Sequence, residues 1–218
     1  MQHALRWYAD AMRWWRRGPA TFCGIALVVL AANIALNFIP VAGIVLAQIL
    51  LPLAECGLLY ATLAADRGGR PQLRHLIAVA AAPPRALAAV IAAGVLVFAT
   101  EALVANAVGG FNLLAPAANA ESMSGIALVA TYAAGIAISL PVMFVPFAAL
   151  FDGADFRGAF AQSAAAFARN GAPLALYGAL SFVLLMLGLA TSGVGLLLAL
   201  PWSAAASYAA WKDVFAVA

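Results

Sequence analysis

The chain has 218 residues, of which 67% are hydrophobic and 9% charged, with a formal net charge of +3; an ordinary soluble domain carries roughly 25% charged residues. Together with a mean hydropathy of +1.03, this balance excludes a water-soluble globule, a disordered chain and a collagen-like repeat, all of which are poorer in large apolar residues. The expectation is one integral membrane domain over residues 1–218, with no extramembrane stretch long enough to bury its own core.

In chain order, residues 3–17 come first and read as a helix lying on the membrane surface. Leu5, Tyr8, Met12 and Trp15 share one face at helical spacing, and Arg6, Arg13 and Arg17 gather on another. That pattern suits contacts of Arg6, Arg13, Arg16 and Arg17 with anionic lipid. Residues 20–39 follow without a charge; the run exceeds the roughly 7 to 15 residues of a signal-peptide core and is long enough to span. Further spans are expected at 41–64, 86–107, 123–147, 174–189 and 194–211. Short uncharged links at 38–43 and 191–195 predict tight hairpins, so the fold class is an all-α polytopic transmembrane bundle, six spans as three hairpins with cytoplasmic interfacial helices. A closed barrel is disfavoured because its strands alternate in polarity over about ten residues, and runs such as 86–97 do not.

Two more segments resemble surface helices. Leu73, Leu76, Ile77 and Ala80 form a stripe beside Arg70 and Arg74, and Phe156, Phe160, Ser163 and Phe167 form one between Arg157 and Arg169. For all three segments the alternative is a helix that packs on the bundle. Orientation follows from the basic residues, which are retained on the cytoplasmic side. Four arginines precede span one, Arg67, Arg70, Arg74 and Arg85 separate spans two and three, Arg157 and Arg169 separate four and five, and Lys212 follows span six. All 11 fall on one side, and the longest opposite loop, 108–122, has only Glu121 for charge. Both termini are therefore expected to be cytoplasmic in a bacterial inner membrane. Prolines 19, 84 and 173 before outward spans, prolines 52, 141 and 201 in inward spans, and aspartates 66, 152 and 213 after them recur in order. This suggests a threefold repeat of the kind transporters use, with chance recurrence as the alternative because proline is common in membrane helices.

Ionisable groups within spans are the sharpest candidates, since a charge at mid-helix costs roughly 2.5 to 3.5 kcal/mol on insertion scales. Glu55 and Glu101 qualify. At about 1.5 Å per residue, Glu101 lies roughly 22 Å and Glu55 about 14 Å from the cytoplasmic end of their spans, so a direct pair is not expected. Asn33, Asn37 and Gln48 fall at the level of Glu101, which predicts a polar cluster of Asn33, Asn37, Gln48 and Glu101. Its role is either a proton or cation site in a cavity or hydrogen bonding between helices. Glu55, three residues beyond Pro52, is expected to answer a backbone carbonyl freed by the kink.

No metal or other cofactor is expected. His3 and His75 are isolated, Cys23 and Cys56 lie in apolar runs as packing residues, and no phosphate loop, nucleophile elbow or H-E-x-x-H pair occurs. Nucleic acid is not an expected partner, because the arginines flank apolar spans without base-reading neighbours. Membrane lipids are, with another membrane protein as a further candidate.

Trp14-Trp15-Arg16-Arg17-Gly18-Pro19, the Ile39-Pro40-Val41-Ala42-Gly43 turn with Leu51-Pro52-Leu53-Ala54-Glu55-Cys56-Gly57, the 163–173 segment, and Gly195-Leu196-Leu197-Leu198-Ala199-Leu200-Pro201 with Tyr208 give the chain a resemblance. It is similar to uncharacterised six-span bacterial inner-membrane proteins grouped loosely with the membrane domain of glycerophosphoryl diester phosphodiesterases. The resemblance implies this location and topology but carries no substrate or active site, and no phosphodiesterase domain follows before Ala218. The leading expectation is a non-enzymatic module binding lipid or a partner; the alternative is a small transporter or transporter subunit with its polar site around Glu101. A lipid-directed enzyme would have to draw on Asp66, Asp152, Asp155 and His75. Reporter fusions after Glu121 are expected to read periplasmic and those after Asp66 or Lys212 cytoplasmic; the reverse at any one site would contradict the six-span arrangement.

Overall fold

The computed structural model describes residues 2–39, 41–116, 119 and 122–217; Pro40, Glu121 and Ala218, which the sequence analysis singles out, lie outside them. Among the described residues the fold is all-helical: α1 (Gln2–Trp15), α2 (Pro19–Asn37), α3 (Ala42–Asp66), α4 (Pro84–Gly109), α5 (Gly125–Ser139), α6 (Val145–Leu150), α7 (Phe156–Arg169), α8 (Gly171–Ala190) and α9 (Leu196–Phe215). Pro19 and Pro84 open α2 and α4, where a missing N–H costs nothing because the first helical donors have no partner inside the helix.

Five segments are long and apolar enough to cross a membrane: Pro19–Asn37, Ala42–Asp66, Pro84–Gly109, Gly125–Leu150 and Gly171–Ala190. Leu27, Ile34, Leu103, Ile126 and Leu187 project outward from them as exposed apolar side chains, the surface that a hydrocarbon solvent requires. The segment expected as a sixth span is different. It forms α9, a helix of 20 residues, but Ser203, Ser207, Lys212 and Asp213 make it more polar than the five. Its position explains this composition. It packs against α1, α2, α3 and α8 and buries Ala199, Ala205, Ala206 and the run 208–211, so much of its surface meets protein and need not be apolar enough for lipid.

Consecutive helices lie against one another, α2 on α3, α4 on α5 and α8 on α9. The segment expected as a continuous fourth span is interrupted: α5 passes through a 3-10 turn, Leu140–Val142, before α6. Pro141 has no N–H to continue an α-helical ladder. The Ser163 hydroxyl of α7 mends the break by donating to the Pro141 carbonyl at 2.8 Å and accepting from the Phe144 N–H at 3.1 Å.

The three segments expected on the membrane surface pack on the bundle, and their buried faces share only Tyr8 and Ser163 with the fully buried part of the stripes read from the sequence. In α1 the buried face is Ala4, Trp7, Tyr8, Ala11 and Trp14, whereas Leu5 is 59% exposed. The two alanines let α9 approach closely, a role that large apolar residues cannot fill. Residues Leu73–Ala81 form a 3-10 helix, not an α-helix, so their packing repeats every three residues: Val79 is buried and Ile77 exposed. In α7 it is Ala159, Ser163 and Ala166 that are buried, with the phenylalanines further out.

The aspartates at the end of the bundle that carries the basic residues tie these elements together. Tyr208 and Lys212 of α9 both donate to Asp66 Oδ2 at the end of α3, at 2.9 and 2.7 Å, and Trp211 donates to Asp152 Oδ2 at 3.4 Å. Asp213 accepts from Trp7 Nε1 at 2.9 Å and pairs with His3 Nδ1 at 2.8 Å, fastening α1 to α9. Partial burial pushes the Asp213 carboxyl upward, but the His3 and Trp7 hydrogen bonds and the nearby His3 and Arg6 charges outweigh it and hold the group below the usual carboxylate range. A carboxyl lowered in the folded state contributes stability above its unfolded value, about 3.9, and loses it as pH falls through the folded one. Acidifying below about pH 4 is therefore expected to lower the protection of α1 amides relative to their intrinsic exchange rates at the same pH, measured by hydrogen–deuterium exchange, and Asp213→Asn to remove that pH dependence while lowering protection at neutral pH.

Candidate functional site

The site begins with a proline in α3. Pro52 sits within that helix, and Gly94 of α4 lies against its ring so closely that a Cβ at position 94 would overlap the ring carbons. This contact fixes how α3 and α4 register. Among the described residues no side-chain bond links Glu55 to the kink: the carbonyl that Pro52 leaves without its helical donor is that of Gln48, and the Cys56 thiol bonds to the Pro52 carbonyl itself, at 3.2 Å. Cys56 stands four residues on, over that carbonyl, while Glu55 projects elsewhere, into a cavity.

That cavity has a volume of about 640 Å³ and is lined by Asn33 and Asn37 of α2, Gln48 and Glu55 of α3, Glu101 of α4, and Thr131, Tyr132 and Ser139 of α5. Leu113, Pro116 and Met123 from the link between α4 and α5 line its far end. All four residues of the expected cluster therefore face one space, and Glu55, which axial arithmetic set apart, faces it too. The Asn37 amide donates to Asn33 Oδ1 at 2.6 Å and to the Asn33 carbonyl at 2.9 Å, so the two amides form one unit on α2. Glu101 extends against Gly135 of α5, where any side chain would displace its carboxyl group. Among the described residues no hydrogen bond or ion pair reaches the side chain of Gln48, Glu55 or Glu101.

Thr131, Tyr132 and Ser139 were not singled out by the sequence. Thr131 is 3% exposed, and among the described residues its hydroxyl has no hydrogen-bond partner. A signal was present: Thr131, Gly135 and Ser139 recur every four residues, a small and polar stripe on one face of an otherwise apolar span.

A second chamber of about 310 Å³ shares Pro52, Glu55, Gly94, Val97 and Ser139 with the first and continues toward Tyr177, Ser203 and Ser207. Phe147 is on its wall and stacks on Trp211 with ring centroids 5.4 Å apart; Tyr60, Phe151 and Tyr208 extend that aromatic layer toward the Asp66–Lys212 pair. At the end of the bundle where α1 meets α9 a separate cleft of about 460 Å³ is lined by Arg6, Arg13, Arg17 and Lys212 together with Asp10, Asp66 and Asp213. Arg13 pairs with Asp10 at 2.6 Å, and Arg17 donates to the Ala65 carbonyl. Arg16 is exposed outside this cleft.

The four residues considered for lipid chemistry are engaged separately. Asp66 and Asp152 hold α9, Asp155 caps α7 by accepting from the Gly158 N–H at 2.7 Å, and His75 Nδ1 accepts from the Gln72 N–H at 3.1 Å. Burial and the Arg74 charge hold His75 below its ordinary value, which favours the neutral ring that this acceptor role needs.

Comparison of the chain with family models, with curated proteins and with solved structures finds no match. The functional reading therefore rests on the cavity. An unpartnered buried hydroxyl costs about 1 to 3 kcal/mol relative to a satisfied one. Thr131→Val is thus expected to leave thermal stability unchanged or raise it by about 1 kcal/mol in the ligand-free protein; a loss of more than that in a detergent melting assay would mean the hydroxyl has a protein partner.

Proposed function

We propose that this chain is a small transporter or transporter subunit of a bacterial inner membrane, with six spans arranged as three hairpins and both termini cytoplasmic. In this arrangement α9 is the sixth span, sheltered by α1, α2, α3 and α8, and all 11 basic residues remain on the cytoplasmic side. The observation that carries the reading is the pairing of Glu55 with Glu101 in one cavity, neither bonded to protein. A carboxyl group in the hydrocarbon layer is costly unless it meets a partner, water or a ligand, and two lining a 640 Å³ space make that space hydrophilic at mid-membrane depth. Its volume lies within the roughly 300 to 1,000 Å³ of small-molecule sites. Proline-interrupted helices around a midplane cavity are also how transporters build such sites.

In this reading the ligand enters past the α4–α5 link, three of whose residues line the cavity, while the aromatic layer of Phe147, Phe151, Tyr208 and Trp211 lies toward the other end of the second chamber. The non-enzymatic lipid-binding module keeps one supporting feature, the exposed arginines of α1, and both roles are compatible in one protein. The competing interpretation of the cavity is hydrogen bonding between helices, and the unbonded Glu55, Gln48 and Glu101 argue against it.

The test is chemical access. In a background with Cys23→Ala and Cys56→Ala, Val97→Cys places a thiol on the wall common to both chambers, and Leu27→Cys places one on the lipid-facing side of α2, 56% exposed. A membrane-impermeant charged thiol reagent added to the periplasmic side is expected to label Val97→Cys at least about tenfold faster, because only a hydrated thiol ionises. Equal failure of both would overturn the reading.

A further inference from the structure

Resting on that reading, the geometry points to a substrate class: we propose that the cavity holds a short aliphatic diamine, with one ammonium at Glu55 and the other at Glu101. The sign of the charge comes first. Among the described residues the lining contains two carboxyl groups and no lysine, arginine or histidine, so an anion would meet repulsion without a counter-charge, whereas a cation is met at each end.

The number of charges follows from helix register. Gly94 against Pro52 sets the level at which α3 and α4 cross. Glu55 is three residues beyond Pro52 toward the cytoplasmic end, and Glu101 seven residues beyond Gly94 in the opposite direction. At about 1.5 Å per residue their backbones are roughly 15 Å apart along the bundle. Side chains lean toward the N-terminus of their own helix, and because α3 and α4 run antiparallel the two carboxyl groups lean toward each other, closing the gap to about 8 to 10 Å. A metal ion or a single ammonium is too small to bridge that distance. A four-carbon diamine, about 6 Å from nitrogen to nitrogen, reaches both carboxyl groups with hydrogen bonds of about 2.8 Å set at an angle. Among the described residues no group of three His, Cys, Asp or Glu side chains is assembled for a metal.

The remaining wall fits the remaining chemistry. Leu51, Pro52, Val97 and Phe98 provide an apolar strip for the methylene chain. An ammonium has three N–H donors, and one carboxyl group cannot accept all of them. Thr131, buried and without a partner among the described residues, lines the same cavity one helical turn from Gly135, the residue Glu101 rests on. In this assignment its hydroxyl turns to accept from the ammonium at Glu101 when the ligand binds, which gives a role to a polar atom left unsatisfied among the described residues.

The test uses the full chain in nanodiscs of neutral lipid, with 1,4-diaminobutane, butylamine and butyrate as probes, read by equilibrium binding. The diamine is expected to bind saturably and at least about tenfold more tightly than butylamine, and butyrate not at all. Glu55→Gln and Glu101→Gln should each bring the diamine down to the butylamine level, and Thr131→Val should weaken it about threefold. Because those variants alter intramembrane groups, the unmodified protein supplies a second readout: across diamines of two to eight carbons, affinity should peak near four. A steady rise with chain length, or butylamine equal to the diamine, would overturn the assignment. Protection of Val97→Cys from the thiol reagent separates the two levels of the proposal. If that thiol reacts and the diamine neither binds nor protects, the substrate class is wrong; if it never reacts, the cavity reading itself fails.

Discussion

A bilayer offers no hydrogen bonds, so each polar group carried into it must find a partner in protein or face a water-filled space. Most of the polar atoms in this protein obey the first option locally. Thr62 and Thr100 donate to carbonyls four residues back, Cys56 answers Pro52, and Asn37 answers Asn33. Glu55, Gln48, Glu101 and Thr131 have no such side-chain partner among the described residues, and all four line one cavity. The close approach of Gly94 to Pro52 and of Glu101 to Gly135 holds α3, α4 and α5 around the space that these four groups require.

The end of the bundle that carries the basic residues obeys a different logic. There α9 is the hub: its Tyr208 and Lys212 bind Asp66, its Trp211 binds Asp152, and its Asp213 receives His3 and Trp7 from α1. Aromatic packing reinforces these bonds, with Trp14 edge-on to Tyr208 at 5.2 Å and Phe147 stacked on Trp211. One end of the bundle is thus cross-linked around a charged cleft, and the other holds exposed amides and a polar chamber. The cross-links all converge on α9.

Membrane character and the five apolar spans were legible because length and hydropathy are local properties. The nature of α9 was only partly so: its boundaries were readable, but its tolerance of serines, a lysine and an aspartate depends on the neighbours that shelter it. The face of α1 was misread for a related reason. Leu5, Met12 and Trp15 are larger than Ala4 and Ala11, yet the alanines are what let α9 come near, and the partner of Trp7 is an aspartate 206 positions away. At the candidate site, Asn33, Asn37, Gln48 and Glu101 could be grouped from their depths alone. Glu55 could not, since its relation to Glu101 depends on where α3 crosses α4 and on two side chains leaning toward each other. Thr131 escaped notice because a hydroxyl in a span ordinarily bonds its own helix, and only the packed structure reveals that this one does not.

The most direct measurement of the central claim, that the cavity is built to hold a small ligand, is native mass spectrometry of the protein released gently from its own membrane. The account predicts a defined small added mass on the 22.3 kDa chain, at one copy per protein and absent from Glu101→Gln. A bare chain carrying only heterogeneous lipid, identical in the two proteins, would contradict it.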